Sequence, residues 1–227
     1  EAGVGNHCLQ VLIRRRQNPH MHLFEAFLAL YDATGDAKWL ARVGEIFGLF
    51  QAHFFDDKKQ VLFEFFEEDW TLCPDAKGEV VEPGHMMEWV WLLDWYSRRS
   101  GRPVAHYTKA LYEKGLEIGM AKSGLLFDAV APDGRVIDSK KRCWGITELI
   151  KASLVQIRAG NPKAEAIAIK GVDDLFDYYL CASTPGSYVD QRGAEDEVVV
   201  DVAPASTLYH LIVAAIELID HCEGVYQ

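Results

Sequence analysis

Apolar residues in this chain fall into two kinds of run, and the two kinds alternate. From His20 to about Ala33 nearly every position is apolar (Met21, Leu23, Phe24, Ala26, Phe27, Leu28, Ala29, Leu30). From about 37 to 55, by contrast, Trp39, Leu40, Val43, Ile46, Phe47, Phe50 and Phe54 form one stripe with charges around it. A helix that is apolar all round belongs inside an assembly, whereas one with a single stripe covers an edge. The alternation returns twice. An apolar helix over roughly 85–99 precedes an amphipathic one over about 104–121, and an apolar helix from Gly145 to Arg158 precedes an amphipathic one over about 163–181. A fourth apolar helix, about 204–222, ends the series.

The turns carry their own signals. Asn18-Pro19 reads as an N-cap and first-turn proline. Thr34-Gly35-Asp36, Ser100-Gly101-Arg102-Pro103 and Gly160-Asn161-Pro162 read as helix stops, and their glycines recur at a period of roughly 60 residues. The connections between pairs are long. The first, 56–83, has a strand-like run at Val61–Phe66 and a polar loop at 67–83; the second holds the hairpin turn Pro132-Asp133-Gly134; the third, 183–203, is hairpin-like again. Residues His7 to Gln17 read as the tail of a helix or a connecting segment, with Arg14-Arg15-Arg16 as a solvated basic run.

This pattern is all-α with short β-hairpins in the long loops. Apolar helices inside, amphipathic helices outside, short turns at one end and long loops at the other make an α/α toroid. Three and a half such hairpins do not close a ring and would expose a wide apolar face. Residues 1–227 are therefore expected to form a single domain, the C-terminal part of a longer barrel.

Composition narrows the functional classes. A net charge of −11 opposes nucleic-acid or anionic-membrane partners, though not a small anionic substrate in a local basic patch. The five cysteines, Cys8, Cys73, Cys143, Cys181 and Cys222, are odd in number and contain no C-x-x-C pair, which fits free thiols in a reducing, cytoplasmic setting. No apolar run is long enough to span a bilayer. A homodimer is kept as an expectation for assembly.

Candidate chemistry gathers where the inner helices begin, at the long-loop end. Polar residues there are Asn18 and His22; Glu82, His85 and Glu88; Arg142, Trp144 and Glu148; and Ser206, Thr207 and His210. Each set lies within about two turns of a helix N-terminus, so all are expected round one mouth. Histidines and carboxylates there suit proton transfer near neutral pH. Singly, His22 or His210 on an apolar helix reads equally as a hydrogen-bonded core residue, Glu25 and Glu88 as dipole partners, and Trp144 and Met86-Met87 as packing. The repeated position is what favours a pocket. A metal set of His85, Glu88, His22 and His210 is the competing arrangement, without an H-E-x-x-H to support it.

Three stretches in order resemble the N-acylglucosamine 2-epimerase superfamily: Asn18-Pro19-His20-Met21-His22-Leu23-x-Glu25-Ala26, Glu82-Pro83-Gly84-His85-x-x-Glu88-Trp89-x-Trp91-Leu92-Leu93, and Lys141-Arg142-x-Trp144-x-x-Thr147-Glu148. Gly145-Ile146 stands where Pro-Gln is usual in the third. The resemblance implies an (α/α)6 barrel and a sugar isomerase or epimerase needing neither metal nor cofactor. It implies His85 and His210 as the acid/base pair that moves a proton at C2 of an opened hexose through an enediol or enediolate. It likewise implies Asn18 and His22 at substrate hydroxyls, with Glu88, Arg142, Trp144 and Glu148 lining the pocket. The substrates it implies are mannose, its phosphate or an N-acylhexosamine. Two rivals remain open: a glycoside hydrolase pairing Glu82 or Glu88 with Glu148, and a non-catalytic helical scaffold.

Overall fold

The computed structural model describes residues 14–200 and 202–225. Among the described residues seven α-helices alternate in chain order between two layers: α1 (Asn18–Thr34), α2 (Ala37–Leu49), α3 (Pro83–Ser100), α4 (Ala105–Gly119), α5 (Cys143–Arg158), α6 (Ala164–Asp174) and α7 (Ala205–Cys222). The odd-numbered helices are the inner ones. They lie side by side in the order α1, α3, α5, α7, and α2, α4 and α6 pack behind α1, α3 and α5. The expected all-α layering is therefore present; α5 is buried along nearly its whole length, and α3 from Pro83 to Leu93.

Local chemistry explains the helix ends. Pro83 needs no N–H partner in the first turn of α3, and Gly101, at φ +71°, closes that helix by donating to Ser97 O. Gly35 ends α1 in the same left-handed conformation. Close packing also depends on α4. Cβ atoms on Gly115 and Gly119 would lie 2.7 Å from Met87 Cε and 2.4 Å from Pro83 Cβ, so hydrogens at these positions let the first turns of α3 sit deep.

Several boundaries differ from the sequence reading. Asn18 is not the N-cap of α1: Gln17 holds that place, and the Asn18 side chain is used elsewhere. Helices α3 and α5 begin at Pro83 and Cys143, each two residues earlier than expected. Helices α2 and α6 end early and run into π turns, Phe50–Phe54 and Leu175–Tyr179. The extra residue per turn rotates Phe50 and Phe54 wholly into the core.

The long loops pair as short antiparallel ladders: β1 (Arg15–Arg16) with β4 (Phe65–Phe66), β2 (Phe55–Asp56) with β3 (Val61–Leu62), β5 (Ala129–Val130) with β6 (Val136–Asp138), and β7 (Lys141–Arg142) with β8 (Gln191–Arg192). The basic run is thus not simply solvated. Arg14 pairs with Asp75, Arg15 lies over Trp70 and Arg16 lies over Phe65. His7, Cys8 and the rest of the segment before Arg14 lie outside the described residues. The first and last inner helices each leave apolar side chains in solvent, Leu23 and Leu30 on α1 and Leu208, Ile212, Ile216 and Ile219 on α7. No helix among the described residues is long and apolar enough to cross a membrane.

Candidate active site

His85, in the first turn of α3, sits in a cage assembled by residues distant in sequence. The Trp89 indole N–H donates to Gln17 Oε1 at 2.8 Å, and because an indole can only donate, it fixes which way the Gln17 amide faces. Gln17 Nε2 then donates to both oxygens of Glu64, at 3.2 and 3.0 Å. Glu64 is fully buried, and its Oε1 accepts from His85 Nδ1 at 2.9 Å. Glu82 Oε2 lies 3.5 Å from the same nitrogen. On the other side of the ring, His85 Nε2 is 2.9 Å from Asn18 Nδ2. A neutral ring accepts from that amide there; an imidazolium requires the amide turned over, with Oδ1 presented. Burial alone pulls the His85 proton affinity down, but the charges of Glu64 and Glu82 outweigh it and raise the imidazole to about 9.

His210, on α7, is built the same way from the opposite side. Its Nδ1 lies 2.7 Å from Glu148 Oε1 on α5, so Nδ1–H donates to the carboxylate and Nε2 is left for other partners. Behind Glu148, Lys151 Nζ approaches Oε2 at 2.8 Å, and both side chains are wholly buried. Burial would raise the Glu148 carboxyl, yet Lys151 and His210 hold it below its ordinary value. Glu88, one turn beyond His85, is 1% exposed and has no hydrogen-bond partner on either oxygen among the described residues. Burial and the nearby Glu148 charge push it up to about 7.

Trp144 joins the two halves. Its ring lies 5.1 Å from that of His85 and 5.6 Å from that of His210, centroid to centroid. The Arg142 guanidinium is 5.2 Å from the Trp144 ring and is clamped by Asp128 Oδ2 at 3.2 Å from its Nε. His22 Nδ1 is 3.9 Å from Glu88 Oε1 and 3.8 Å from Glu25 Oε2. Its imidazole is raised by the Glu25 carboxylate, with Glu88 adding to that. Tyr209 donates to Glu25 from across the mouth, linking α7 to α1.

Asn18, His22, His85, Glu88, Arg142, Trp144, Glu148 and His210 therefore belong to one connected cluster, and Glu82 joins it beside His85; the other two helix-start candidates do not, since Ser206 is exposed and Thr207 donates to Asp190 instead. The competing four-residue metal set is not brought together as one group. Among the described residues its members divide among three triads, each with donor atoms within 4.8 Å of one another: His22, Glu25 and Glu88; Glu64, Glu82 and His85; and Glu88, Glu148 and His210. Sequence reasoning missed Gln17, Glu64 and Lys151. A signal existed for two of them: Glu64 interrupts an otherwise apolar run, Val61–Phe66, and Lys151 lies three residues after Glu148 on an all-apolar helix.

The buried protons make stability depend on pH. His85 rises from 6.5 to about 9 and Glu88 from 4.5 to about 7 in the folded chain. A raised group stabilises fully below its unfolded value, and that contribution is lost as pH climbs through its folded value. The melting temperature is therefore expected to fall between pH 5 and 9, in a lower limb from Glu88 and an upper one from His85. Glu88→Gln should remove the lower limb only; a flat profile in the unsubstituted protein would contradict both assignments.

The inner helices of an α/α-barrel fold thus bring two carboxylate-backed imidazoles to either side of one indole. The chain belongs to the N-acylglucosamine 2-epimerase (GlcNAc 2-epimerase) family, whose family model matches residues 6–214. It is 34% identical over 210 residues to Mannose-6-phosphate isomerase of Rhizobium meliloti (strain 1021), covering 89% of this chain and 54% of that protein. It is 26% identical over 141 residues to Cellobiose 2-epimerase of Dictyoglomus turgidum (strain DSM 6724 / Z-1310), covering 60% of this chain and 34% of that one. A crystal structure of D-mannose isomerase superposes with a TM-score of 0.79 at 23% identity, over 91% of this chain and 56% of its own, a likeness of (α/α)6-barrel fold. The chain spans about half the length of the first of these relatives and of the superposed structure.

Proposed function

We propose that this chain supplies the C-terminal part of an (α/α)6-barrel sugar isomerase or epimerase, and that His85 and His210 move a proton at C2 of an open-chain hexose. One observation carries the reading. Two imidazoles, each with Nδ1 on a buried carboxylate, approach the same indole on α5 from the inner helices on either side of it, α3 and α7. A pair so placed suits removing a proton from one side of a carbon and returning one from another. With Nδ1–H donated to Glu148, Nε2 of His210 carries the lone pair of a base in the neutral ring, while His85, raised to about 9, is the resting acid.

In the reaction, the C2–H bond breaks and its electron pair moves into the C1–C2 enediolate as the C1 carbonyl oxygen takes the negative charge. A proton returned to C1, with the O2 proton shifted to O1, gives the ketose; a proton returned to the other face of C2 gives the epimer. In this reading protonated His85, Arg142 and the N-termini of the inner helices stabilise the enediolate. Asn18 and His22 take substrate hydroxyls and assist ring opening, roles that follow from the family resemblance. The substrate class follows the names of the relatives, a hexose such as mannose, its phosphate or an N-acylated form. The hydrolase alternative is less well supported, because Glu148 is already engaged by His210 and Lys151 and is not free as a nucleophile or acid.

The test is isotope wash-in. Full-length protein incubated with mannose or mannose 6-phosphate in D2O should place deuterium at C2, with ketose or epimer accumulating. Hydrolysis of a glycoside without C2 labelling would favour the hydrolase, and absence of saturable sugar binding would favour a scaffold.

A further inference from the structure

Lys151 has no role of its own in the proton transfer described above, and its position is costly. It is 0% exposed, on the inner face of α5, with Nζ 2.8 Å from Glu148 Oε2 and 3.7 Å from the centroid of the Trp91 ring. Trp91, on α3, is itself fixed, its indole N–H donating to Glu217 Oε1 on α7 at 2.9 Å. One ammonium thus touches groups that tie together the three helices carrying His85, Glu148 and His210. A buried ion pair adds little net stability, since an apolar pair of similar volume commonly does as well. Packing does not explain why a lysine stands here.

The second buried lysine offers a contrast. Lys141 donates to the carbonyls of Gly193 and Ala194 and pairs with Asp196, which pins a loop. Lys151 instead faces the pocket carboxyls. Around it are Glu148 on its own helix, Glu88 on α3, and His210 and Glu217 on α7. Glu148 is held between Lys151 on Oε2 and His210 on Oε1.

We propose that Lys151 is a positioning residue for His210: acting through Glu148, it keeps that carboxylate charged and aimed, so that His210 holds its proton on Nδ1 and presents Nε2 to the substrate. This rests on the acid/base reading of His210 given above. The same pairing explains how two neighbouring carboxyls divide their roles. Glu148 takes the cation and stays ionised, leaving Glu88 as the one that carries a proton.

The experiment compares Lys151→Met, Glu148→Gln and the double variant in the full-length protein. Lys151→Met should lower kcat on the order of tenfold with KM little changed, and should displace the pH profile of kcat. In the Glu148→Gln background it should add no further loss, since both act on one nitrogen. If Lys151→Met alone fails to fold, because Glu148 is left charged and unpaired, the neutral double variant still allows comparison with Glu148→Gln. Independent of turnover, 15N NMR of the histidine rings should show His210 protonated on Nδ1 in the unsubstituted protein and a mixed tautomer in Lys151→Met. Losses that add in the double variant, a change confined to KM, or an unaltered His210 tautomer would overturn the proposal. A protein without C2 exchange but with the expected tautomer change would sink the functional reading and leave the Lys151 assignment standing.

Discussion

Replacing His210 or His85 by alanine in the full-length protein should reduce C2 deuterium exchange by on the order of 100- to 10,000-fold, the contribution of a general acid or base. The two variants should differ in stability. His210→Ala leaves Glu148 with its cation, because Lys151 remains 2.8 Å away. His85→Ala strips Glu64, which is fully buried, of its imidazole and leaves only the neutral amide of Gln17. Breaking a buried charged pair costs roughly 3–5 kcal/mol, so His85→Ala should melt well below His210→Ala at neutral pH. Thermal melts at neutral pH together with an exchange assay check both expectations. Near-normal exchange in either variant would refute the two-histidine reading, and equal melting temperatures would refute the account of Glu64.

How much of this could be read from the sequence follows from which interactions are local. The layers were legible because a helix apolar on all faces, such as α3, and one with a single stripe, such as α2, differ in composition over many residues. The pocket residues were legible because inner-helix N-termini meet at one end of such a ring, so His85 and His210 could be placed together without coordinates. The cage of His85 was not. Glu64 sits 21 residues before His85 and Gln17 sits 68 before it, in segments with no periodicity to give direction to a side chain. Asn18 was assigned to capping because Asn-Pro is a common helix start, but its amide goes to the imidazole and Gln17 takes the boundary. The π turns after α2 and α6 escaped for a different reason. Each adds one residue to a turn without changing the apolar pattern, so the stripe reads on as α-helix.

A methyl group at Gly84 should have an effect out of proportion to its size. A Cβ there would lie 2.3 Å from Cζ3 and 2.5 Å from Cη2 of Trp144, a rigid ring that cannot fold out of the way as a flexible side chain would. Trp144 in turn lies against His85 on one side and His210 on the other, with Arg142 over it. The indole must therefore shift, and the imidazoles with it. Overpacking of this kind costs roughly 1–3 kcal/mol, partly offset by the roughly 1 kcal/mol that alanine gains over glycine inside a helix. Stability should change little, whereas a displacement on the order of 1 Å at the reacting groups can cost about 100-fold in rate. Gly84→Ala is thus expected to melt within a few degrees of the unsubstituted protein, bind sugar, and lose most of its C2 exchange. Gly145→Ala serves as the control: the nearest atom to its Cβ would be Leu126 Cβ at 3.8 Å, an ordinary contact, so exchange should be preserved. If Gly84→Ala retains full exchange, Trp144 does not set the spacing of the two imidazoles; if Gly145→Ala loses it as well, the first turn of α5 is sensitive to any side chain and the effect at Gly84 carries no information about the pocket.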